Sequence, residues 1–300
     1  MPVKSLDALT ELAGKKKTSR IVIAAAEDEE VLQAVQMAVR HNMITPVLVG
    51  DTGKINEIAG KINLPLRGIE MHHSPDPSDS CSMAVSMIRE NKADILMKGL
   101  VKTSTFLKPI LNKDHGLLVN QLLSHFALFE SVYYPKIFGV TDVAVNIAPD
   151  FNEKVAIVHN AVKVFPFLGI EKPKVAVLAA VETVNPKIEA TVHASMLTVM
   201  NRRNQITGCI IDGPFALDNA ISFEAAAHKG ITGEVAGDAD LLLAPDLNSG
   251  NILYKTLNFL GGAKCAAVVL GASVPIVLTS RADSETSKLL SMALACVIGK

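Results

Sequence analysis

The sequence predicts an α/β fold in which mostly parallel sheets are covered by helices on both faces. Short β-branched runs alternate with amphipathic segments along all 300 residues. Parallel strands need helical crossovers, and such crossovers produce this alternation. Polar residues also follow several of the apolar runs directly, which is where α/β sheets bind their ligands. The length fits about two domains.

Ten apolar runs rich in β-branched residues predict the strands. In chain order they are Ile21–Ala25, Pro46–Val49, Ile69–His72, Asp94–Met97, Ile137–Val140, Val175–Ala179, Cys209–Ile211, Leu241–Ala244, Ala267–Leu270 and Pro275–Thr279. The amphipathic segments that predict helices include Glu29–Arg40, Ser80–Asn91, Glu153–Phe165, Pro186–Arg203, Ser249–Phe259 and Glu285–Val297. Asp79 or Ser80, and Ser249, are suitable N-caps.

The number of strands predicts two domains. Ten strands exceed what one open sheet usually carries, so two sheets with an interdomain cleft are expected. A break near Asp142–Asp150 marks the crossing between the domains. The polar cluster near residue 280 indicates that the last 30 residues or so return to the first domain. The predicted domains are therefore residues 1–143 with 268–300, and residues 144–267.

The composition is that of a globular protein without a nucleic-acid or membrane partner. The net charge is −1, 49% of the residues are hydrophobic and 20% are charged, so binding to an anionic polymer or membrane surface is not expected. No apolar run reaches the roughly 18 residues of a membrane span, and the N-terminus lacks a signal-peptide core. The four cysteines are scattered, which predicts reduced thiols in a cytoplasmic protein and no metal site.

The sharpest functional motif is the polar cluster Ser-Arg-Ala-Asp-Ser at residues 280–284. It follows the last predicted strand directly and precedes a helical pattern that begins at Glu285. Unpaired N–H groups at the start of a helix attract anions, and an arginine fork suits phosphate. The cluster therefore predicts a site for a phosphate-bearing ligand. The alternative is that Asp283 or Ser284 only caps the helix and Arg281 is a surface residue.

A second polar stretch follows the predicted strand Asp94–Met97. Lys98-Gly99 ends this strand, and Thr103–Thr105 can open a helix after a short loop. Glycine permits a close approach of the backbone, and lysine and hydroxyl groups can hold phosphate. The alternative is a solvated loop with a capping Thr or Ser.

Other polar strand ends are less decisive. After residue 244, Asp246 and Asn251 either cap the next helix or line the cleft, with Lys255 one turn later. His125 and Glu182 are further candidates, set against ordinary structural roles. The chain has no Gly-x-Ser-x-Gly elbow, Cys–His signal or dinucleotide fingerprint, so covalent nucleophilic catalysis is not indicated.

At these residues the chain resembles the phosphate acetyltransferase and phosphate butyryltransferase family, and its butyryl branch in particular. The matching segments are 97–107, 111–113, 124–125, 141–146, 170–175, 185–187, 212–218, 228–237, 250–251, 254–257 and 278–284. They cover nearly the whole chain in order. The resemblance implies a two-domain fold like that of the isocitrate and isopropylmalate dehydrogenases, with the second domain inserted and the C-terminal segment completing the first.

The resemblance also implies an activity, which is the reversible transfer of a butyryl or similar short-chain acyl group between coenzyme A and inorganic phosphate. Acyl-CoA, CoA, phosphate and acyl phosphate are then the partners, and no cofactor is permanently bound. The implied enzyme is a cytoplasmic homo-oligomer, a dimer or larger, of butyrate metabolism. The alternatives are a phosphate acetyltransferase, a metal- and NAD-dependent hydroxyacid dehydrogenase of the same fold, and a non-catalytic acyl-CoA-binding protein.

One position departs from the acetyl branch of the family. In that branch an aspartate six residues after the arginine is assigned as the base that deprotonates the coenzyme thiol, and here this position is Ser287. Serine cannot act as such a base unaided, so Asp283 is the substitute considered. The segment 245–250 looks closer to the acetyl branch, so the resemblance does not fix the acyl chain.

The candidate residues fall into two groups. The predicted catalytic residues are Ser280, Arg281 and Asp283. The predicted substrate-binding residues are Lys98, Gly99, Thr103, Ser104, Lys108, His125, Asn146, Glu182, Asn185, Asp246, Asn251, Lys255 and Ser284. Arg281 would hold the phosphate with help from Lys98, and Ser280 would hydrogen-bond the reacting carbonyl or the thiol sulfur.

Overall fold

A computed structural model describes residues 2–120, 122–280 and 283–299 of the chain. These residues form two compact units. The central unit comprises residues 2–5 and 122–265, and the terminal unit comprises residues 6–120 together with the described residues from 266 onward. The domain limits expected from the sequence, at residues 143 and 268, stay a prediction.

The terminal unit is built on six strands, numbered in chain order through the whole protein. They are β1 Ser19–Ala24, β2 Ile44–Gly50, β3 Glu70–His73, β4 Ile95–Lys98, β10 Lys264–Leu270 and β11 Ile276–Val277. Residues 266–270 of β10 belong to this unit. The strand order is β3-β2-β1-β4-β11-β10, and neighbouring strands are parallel except for the antiparallel pair β10 and β11.

Six helices belong to the terminal unit. They are α1 Leu6–Lys15, α2 Glu29–Arg40, α3 Thr52–Lys61, α4 Pro77–Arg89, α5 Thr103–Ile110 and α11 Glu285–Ile298. The chain steps outward from β1 to β3 and then returns to β4 on the other side of β1. Because parallel crossovers are right-handed, α2 and α3 cover one face of the sheet and α4 covers the other. The strand order therefore reverses between β1 and β4, which is where an open α/β sheet binds its ligand.

Burial explains why the strands of this sheet read as continuous apolar runs. Ile21, Val22 and Ile23 are consecutive in β1, and all three are fully buried. Successive side chains of a strand point to opposite faces, so both faces are covered.

The central unit is built on five strands. They are β5 Ser124–Glu130, β6 Phe138–Thr141, β7 Lys174–Leu178, β8 Ile210–Phe215 and β9 Leu241–Leu243. The order is β5-β6-β9-β7-β8, with β5 and β6 antiparallel and the other neighbours parallel. The helices are α6 Phe151–Val162, α7 Glu189–Arg202, α8 Leu217–Ile221, α9 Phe223–His228 and α10 Leu247–Lys255, with a 3₁₀ turn at Phe165–Leu168 and a π-helical turn at Thr256–Leu260.

An ion-pair network, termed the amino-edge network, closes the end of the central sheet where its parallel strands begin. Lys136 lies 2.8 Å from Asp238 and 2.7 Å from Asp240, and Lys174 lies 2.6 Å from Asp238. Lys174 is the first residue of β7, and Asp240 directly precedes β9. The network therefore ties the starts of two neighbouring parallel strands together.

The structure confirms a mixed α/β protein with mostly parallel strands, and each predicted strand overlaps an observed one. The sequence did not predict β5. Two predicted caps were wrong: Asp76 caps α4 in place of Asp79 or Ser80, and Asp246 caps α10 in place of Ser249. The dehydrogenase-like naming and the cleft stay predictions. In the part of the chain that the structure describes, no helix is long and apolar enough to cross a membrane.

Candidate active site

Two predicted site segments of the terminal unit lie at neighbouring strand ends. Ile276 pairs with Leu96 and Val277 with Met97, so β11 and β4 run side by side in parallel. Beyond these pairs β4 continues into Lys98, and β11 continues through residues 278 and 279 to Ser280. The register therefore brings together two segments that are 182 positions apart in sequence (280 minus 98).

Lys98 and Gly99 form a tightly held turn at the end of β4. Lys98 is 4% exposed, and its Nζ donates hydrogen bonds to the carbonyl oxygens of Gly99 at 3.1 Å and Val101 at 3.2 Å. The Gly99 N–H donates to the carbonyl of Ala24 at 2.8 Å. A Cβ at residue 99 would overlap the Ala25 carbonyl oxygen. Only glycine fits where this turn meets the end of β1.

Helix α5 follows this turn and presents its first N–H groups without a side-chain cap. Its N-cap position is Lys102, which makes no side-chain cap hydrogen bond to the described residues. Thr103 and Ser104 open the helix and are exposed, and Lys108 is exposed in the last turn. The uncapped N–H groups at the start of α5 can bind an anion such as phosphate.

The segment after β11 is a turn closed by Asp283. The Ser280 N–H donates to Oδ2 of Asp283 at 2.7 Å, and the Asp283 N–H donates to the Ser280 carbonyl at 3.2 Å. Asp283 is 8% exposed, and Nζ of the buried Lys288 donates to its carbonyl oxygen. Ser280 is exposed. The predicted catalytic Arg281 lies outside the described residues.

Ser284 and Ser287 form the cap of α11. The Ser287 N–H donates to Oγ of Ser284 at 3.2 Å, and the two hydroxyl oxygens are 3.3 Å apart. Ser284 therefore caps the helix, as one of the two sequence interpretations has it. The carboxylate of Asp283 serves the turn that orients Ser280, so its use as a base would compete with that contact.

A carboxylate that the sequence analysis missed, Glu27, lies just beyond the end of β1. It is 8% exposed, and its Oε2 accepts a hydrogen bond from the Asp51 N–H at 3.3 Å. A Cβ at Gly50 would overlap this carboxylate. The signal in the sequence was an acidic residue directly after the apolar run 21–26, next to the point where the strand order reverses.

Asn146 lies in the loop after β6, and Asn251 of α10 donates a hydrogen bond to the same loop. The Asn146 side-chain amide donates to Oδ2 of Asp142 at 2.5 Å and to the carbonyl of Leu123 at 2.8 Å. The Asn251 amide donates to the carbonyl of Val143 at 3.0 Å. The structure thus brings both asparagines to the carboxyl end of β6.

Glu182 and Asn185 both follow β7, but they have different contact partners. Lys229 Nζ lies 3.3 Å from Oε2 of Glu182 and 3.1 Å from Oδ2 of Asp218. The Asn185 side chain accepts from the Lys187 N–H at 3.0 Å, which makes a local turn. Glu182 is thus one half of a partly exposed ion pair.

The last predicted residues of the central unit lie on β5 and α10. His125 is 3% exposed, and the edge of its ring meets the ring of Tyr254 with centroids 6.3 Å apart. Asp246 caps α10 by accepting from the Ser249 N–H at 2.8 Å. Lys255 is exposed at the end of the same helix.

The cysteines are not reactive groups of this site. All four are free and buried. Burial raises the pKa of Cys81 to about 11, although the nearby Lys98 charge acts in the opposite direction. Within the described residues, no group of three or more His, Cys, Asp or Glu side chains is placed to hold a metal ion.

The family of the chain is shown by comparison with known protein families. A family model described as phosphate acetyl/butaryl transferase matches residues 5–76 and 75–296. The chain belongs to this phosphate acetyl/butaryl transferase family. Lys98-Gly99 and the 280–284 segment both lie inside the matched range.

Two curated relatives in the family are similar to the chain over nearly their whole length. A phosphate butyryltransferase of Clostridium acetobutylicum is 44% identical over 99% of this chain and 98% of its own. A phosphate butyryltransferase of Clostridium beijerinckii is 45% identical over 98% of each chain.

Solved structures agree with the family assignment. A branched-chain phosphotransacylase from Enterococcus faecalis superposes with a TM-score of 0.82 at 36% identity, covering 94% of this chain and 99% of that one. A 4-hydroxythreonine-4-phosphate dehydrogenase from Klebsiella pneumoniae superposes with a TM-score of 0.56 at 13% identity, again covering 94% and 99%. The second likeness shows the fold alone.

Proposed function

We propose that this chain catalyses reversible transfer of a butyryl or similar short-chain acyl group between coenzyme A and inorganic phosphate. Its membership of the phosphate acetyl/butaryl transferase family supports an acyltransferase, and its relatives named phosphate butyryltransferase support the butyryl chain. The observation that carries the proposal is the pairing of β4 with β11, because it sets Lys98 beside the Ser280 turn in one unit.

The proposed reaction is direct transfer in a ternary complex. A phosphate oxygen attacks the thioester carbonyl carbon, the C–S bond breaks, and the sulfur leaves as CoA thiol after taking up a proton. In the reverse direction CoA gives its thiol proton to a base, its sulfur attacks the carbonyl carbon of the acyl phosphate, the C–O bond to the phosphate breaks, and phosphate leaves. A negative charge develops on the carbonyl oxygen in both directions, and a positioned donor stabilises it.

The roles of the terminal-unit residues follow from charge and position. Arg281 and Lys98 would hold the phosphate, aided by the uncapped start of α5 at Thr103. The proposed phosphate-binding group also includes Gly99, Ser104, Lys108 and Ser284. Ser280 would donate its hydroxyl to the reacting carbonyl or to the thiol sulfur. Asp283 remains the proposed base, and to take the thiol proton its carboxylate would give up the 2.7 Å contact with the Ser280 N–H.

The central unit would contribute the remaining substrate contacts. The proposed residues are His125, Asn146, Glu182, Asn185, Asp246, Asn251 and Lys255. What supports them is that most follow β6, β7 or β9, at the edge of the sheet where α/β proteins bind ligands. We propose further that the enzyme holds no permanent cofactor and works as a homo-oligomer in the cytoplasm. Light scattering of the purified protein tests the oligomer.

The acyl chain is the part of the proposal that kinetics must decide. The family includes acetyl transferases by its description, and the E. faecalis structure is of a branched-chain enzyme. One methylene in an apolar pocket changes discrimination by only about 1–3 kcal/mol. Free thiol release from butyryl-CoA, isobutyryl-CoA and acetyl-CoA, each with and without phosphate, gives the ratios of kcat/KM. A ratio that favours acetyl-CoA would replace the butyryl assignment with the acetyl one.

A further inference from the structure

Lys154 is a buried lysine of the central unit that the proposed function leaves without a role. It lies in α6 and is 4% exposed. Its Nζ is 3.0 Å from Nδ1 of His193 in α7. Burying an ammonium group is costly unless it is paired, and burial accordingly lowers the pKa of Lys154. A lysine that is buried in this way needs polar partners that offset the cost of burial.

The charges of three carboxylates raise the pKa of Lys154 against the effect of burial. They are Glu189, Asp246 and Asp150. Asp150 is the N-cap of α6, Glu189 is the first residue of α7, and Asp246 is the N-cap of α10. These helices follow β6, β7 and β9 respectively. Lys154 therefore joins the first turn of α6 to α7 through His193, and the carboxylate charges at the starts of three helices act on it.

His193 completes this arrangement, and the group of Lys154, His193 and the three carboxylates is termed the Lys154 cluster. Burial lowers the pKa of His193, and the neighbouring Lys154 charge lowers it further. The Phe151 ring lies 5.5 Å from the imidazole, and Nε2 of His193 is 3.9 Å from Glu189. A neutral imidazole accepts the Lys154 hydrogen bond at Nδ1 and keeps its proton at Nε2.

The loops that enter these three helices carry substrate-binding residues of the proposed function. Asn146 precedes α6, Asn185 precedes α7, and Asp246 is itself the cap of α10. We propose that Lys154, through its hydrogen bond to His193, is a positioning residue that fixes the loops entering α6 and α7 for acyl-CoA binding without touching the substrate. The inference rests on the proposed function, because that function makes the loops a substrate surface.

Lys174 provides a matched control for Lys154. It belongs to the same unit and is ion-paired, at 2.6 Å from Asp238. It lies in the amino-edge network, at the opposite end of the parallel strands from the three loops. Replacing either lysine by methionine keeps a similar apolar volume and removes the charge. If Lys154 had a purely structural role, both variants would lose the same property, namely thermal stability.

The test compares steady-state kinetics of Lys154→Met and Lys174→Met with butyryl-CoA and phosphate. We expect Lys154→Met to raise the KM for butyryl-CoA about tenfold or more while kcat stays within about threefold of wild type. Lys174→Met should keep the wild-type KM and lose only thermal stability. An unchanged KM in Lys154→Met, or an equal rise in Lys174→Met, would overturn the positioning role.

A second pair of variants covers the case in which Lys154→Met does not fold. His193→Asn keeps a hydrogen-bond acceptor near the Nδ1 position, whereas His193→Phe removes it. A KM rise in His193→Phe with a wild-type value in His193→Asn supports the proposal, and equal values in both contradict it. If the wild-type protein transfers no acyl group, the proposed function fails by itself. Calorimetric CoA binding by the same variants then decides whether Lys154 positions a CoA surface.

Discussion

At the scale of single residues, the turn after β4 combines a buried cation with a position that admits no side chain. Lys98 is oriented by two carbonyl oxygens, and Gly99 meets the end of β1 backbone to backbone. In the proposed function the lysine supplies charge for an anion, and the glycine lets the chain come close enough to place that charge beside β11. The chemistry and the packing of this turn are therefore inseparable.

Gly99→Ala is expected to lose both stability and activity. The added methyl group overlaps the Ala25 carbonyl oxygen and lies 2.8 Å from that of Ala24, which predicts a loss of about 1–3 kcal/mol in the free energy of unfolding. Gly60→Ala is the control, since nothing lies within 4 Å of a Cβ at this position in α3. It should gain about 0.5–1 kcal/mol. Urea unfolding measures the free energy of unfolding of both variants. Equal changes in the two would refute the close approach of Gly99 to the Ala25 carbonyl.

Arg281→Ala is expected to lower turnover roughly 100- to 1000-fold, because it removes a charged donor that stabilises the transition state. Arg281→Lys should also be poor, since an ammonium group cannot reproduce a bidentate fork. Phosphate-dependent thiol release measures both, and the melting temperature should stay at the wild-type value. Arg202→Ala removes an exposed partner of Asp212 and serves as the control. Near-wild-type turnover in Arg281→Ala would take this arginine out of the mechanism.

At the scale of elements, the amino-edge network gives the central unit a defined dependence on pH. Burial of Asp238 opposes its ionisation, but the hydrogen bonds from Lys136 and Lys174 outweigh burial and hold its pKa below the ordinary 3.8. The hydrogen bond with Asp238 raises the pKa of Lys174 above 10.5. The carboxylate of Asp238 stabilises the fold above pH 3.8 and loses this effect as the pH falls through the pKa that it has in the folded protein. The lysine contributes fully below pH 10.5 and loses its effect as the pH rises further.

Asp238→Asn should therefore make the melting temperature depend less on pH in the acid range. The variant is expected to melt below the wild type at pH 7, and this difference should shrink as the pH falls below about 4. Thermal melts across the pH range measure it, with Asp114→Asn in an exposed loop as the control. A difference that stays constant from pH 7 to pH 2 would show that the charge of Asp238 is not what stabilises these strands.

The elements also show how far the sequence determines this fold. Periodicity found most strands and most long helices of the two units, because a strand that is buried on both faces reads as a short apolar run. It missed β5, where Ser124 and His125 break the apolar pattern although both are buried. It missed Lys154 and His193 because their contact joins two helices and positions 39 apart. Only a tertiary structure creates that pairing.

At the scale of the whole molecule, the proposed function implies an acyltransferase that works without a metal. In the described residues no cluster suited to a metal ion occurs, and attack by phosphate on a thioester requires only charge stabilisation and one proton transfer. Dialysis against a chelator is therefore expected to leave phosphate-dependent turnover unchanged. Loss of activity, with recovery on adding a divalent cation, would favour the metal-dependent dehydrogenase alternative.

The proposed acyl transfer yields two products, and following both of them in one reaction is its most direct test. The purified protein is mixed with butyryl-CoA and phosphate, free thiol is titrated, and the acyl phosphate is quantified by its phosphorus resonance. We expect equal amounts of CoA and butyryl phosphate, no thiol release without phosphate, and re-formation of butyryl-CoA when CoA is added in excess. Thiol release that is independent of phosphate, or CoA binding with no release at all, would contradict it.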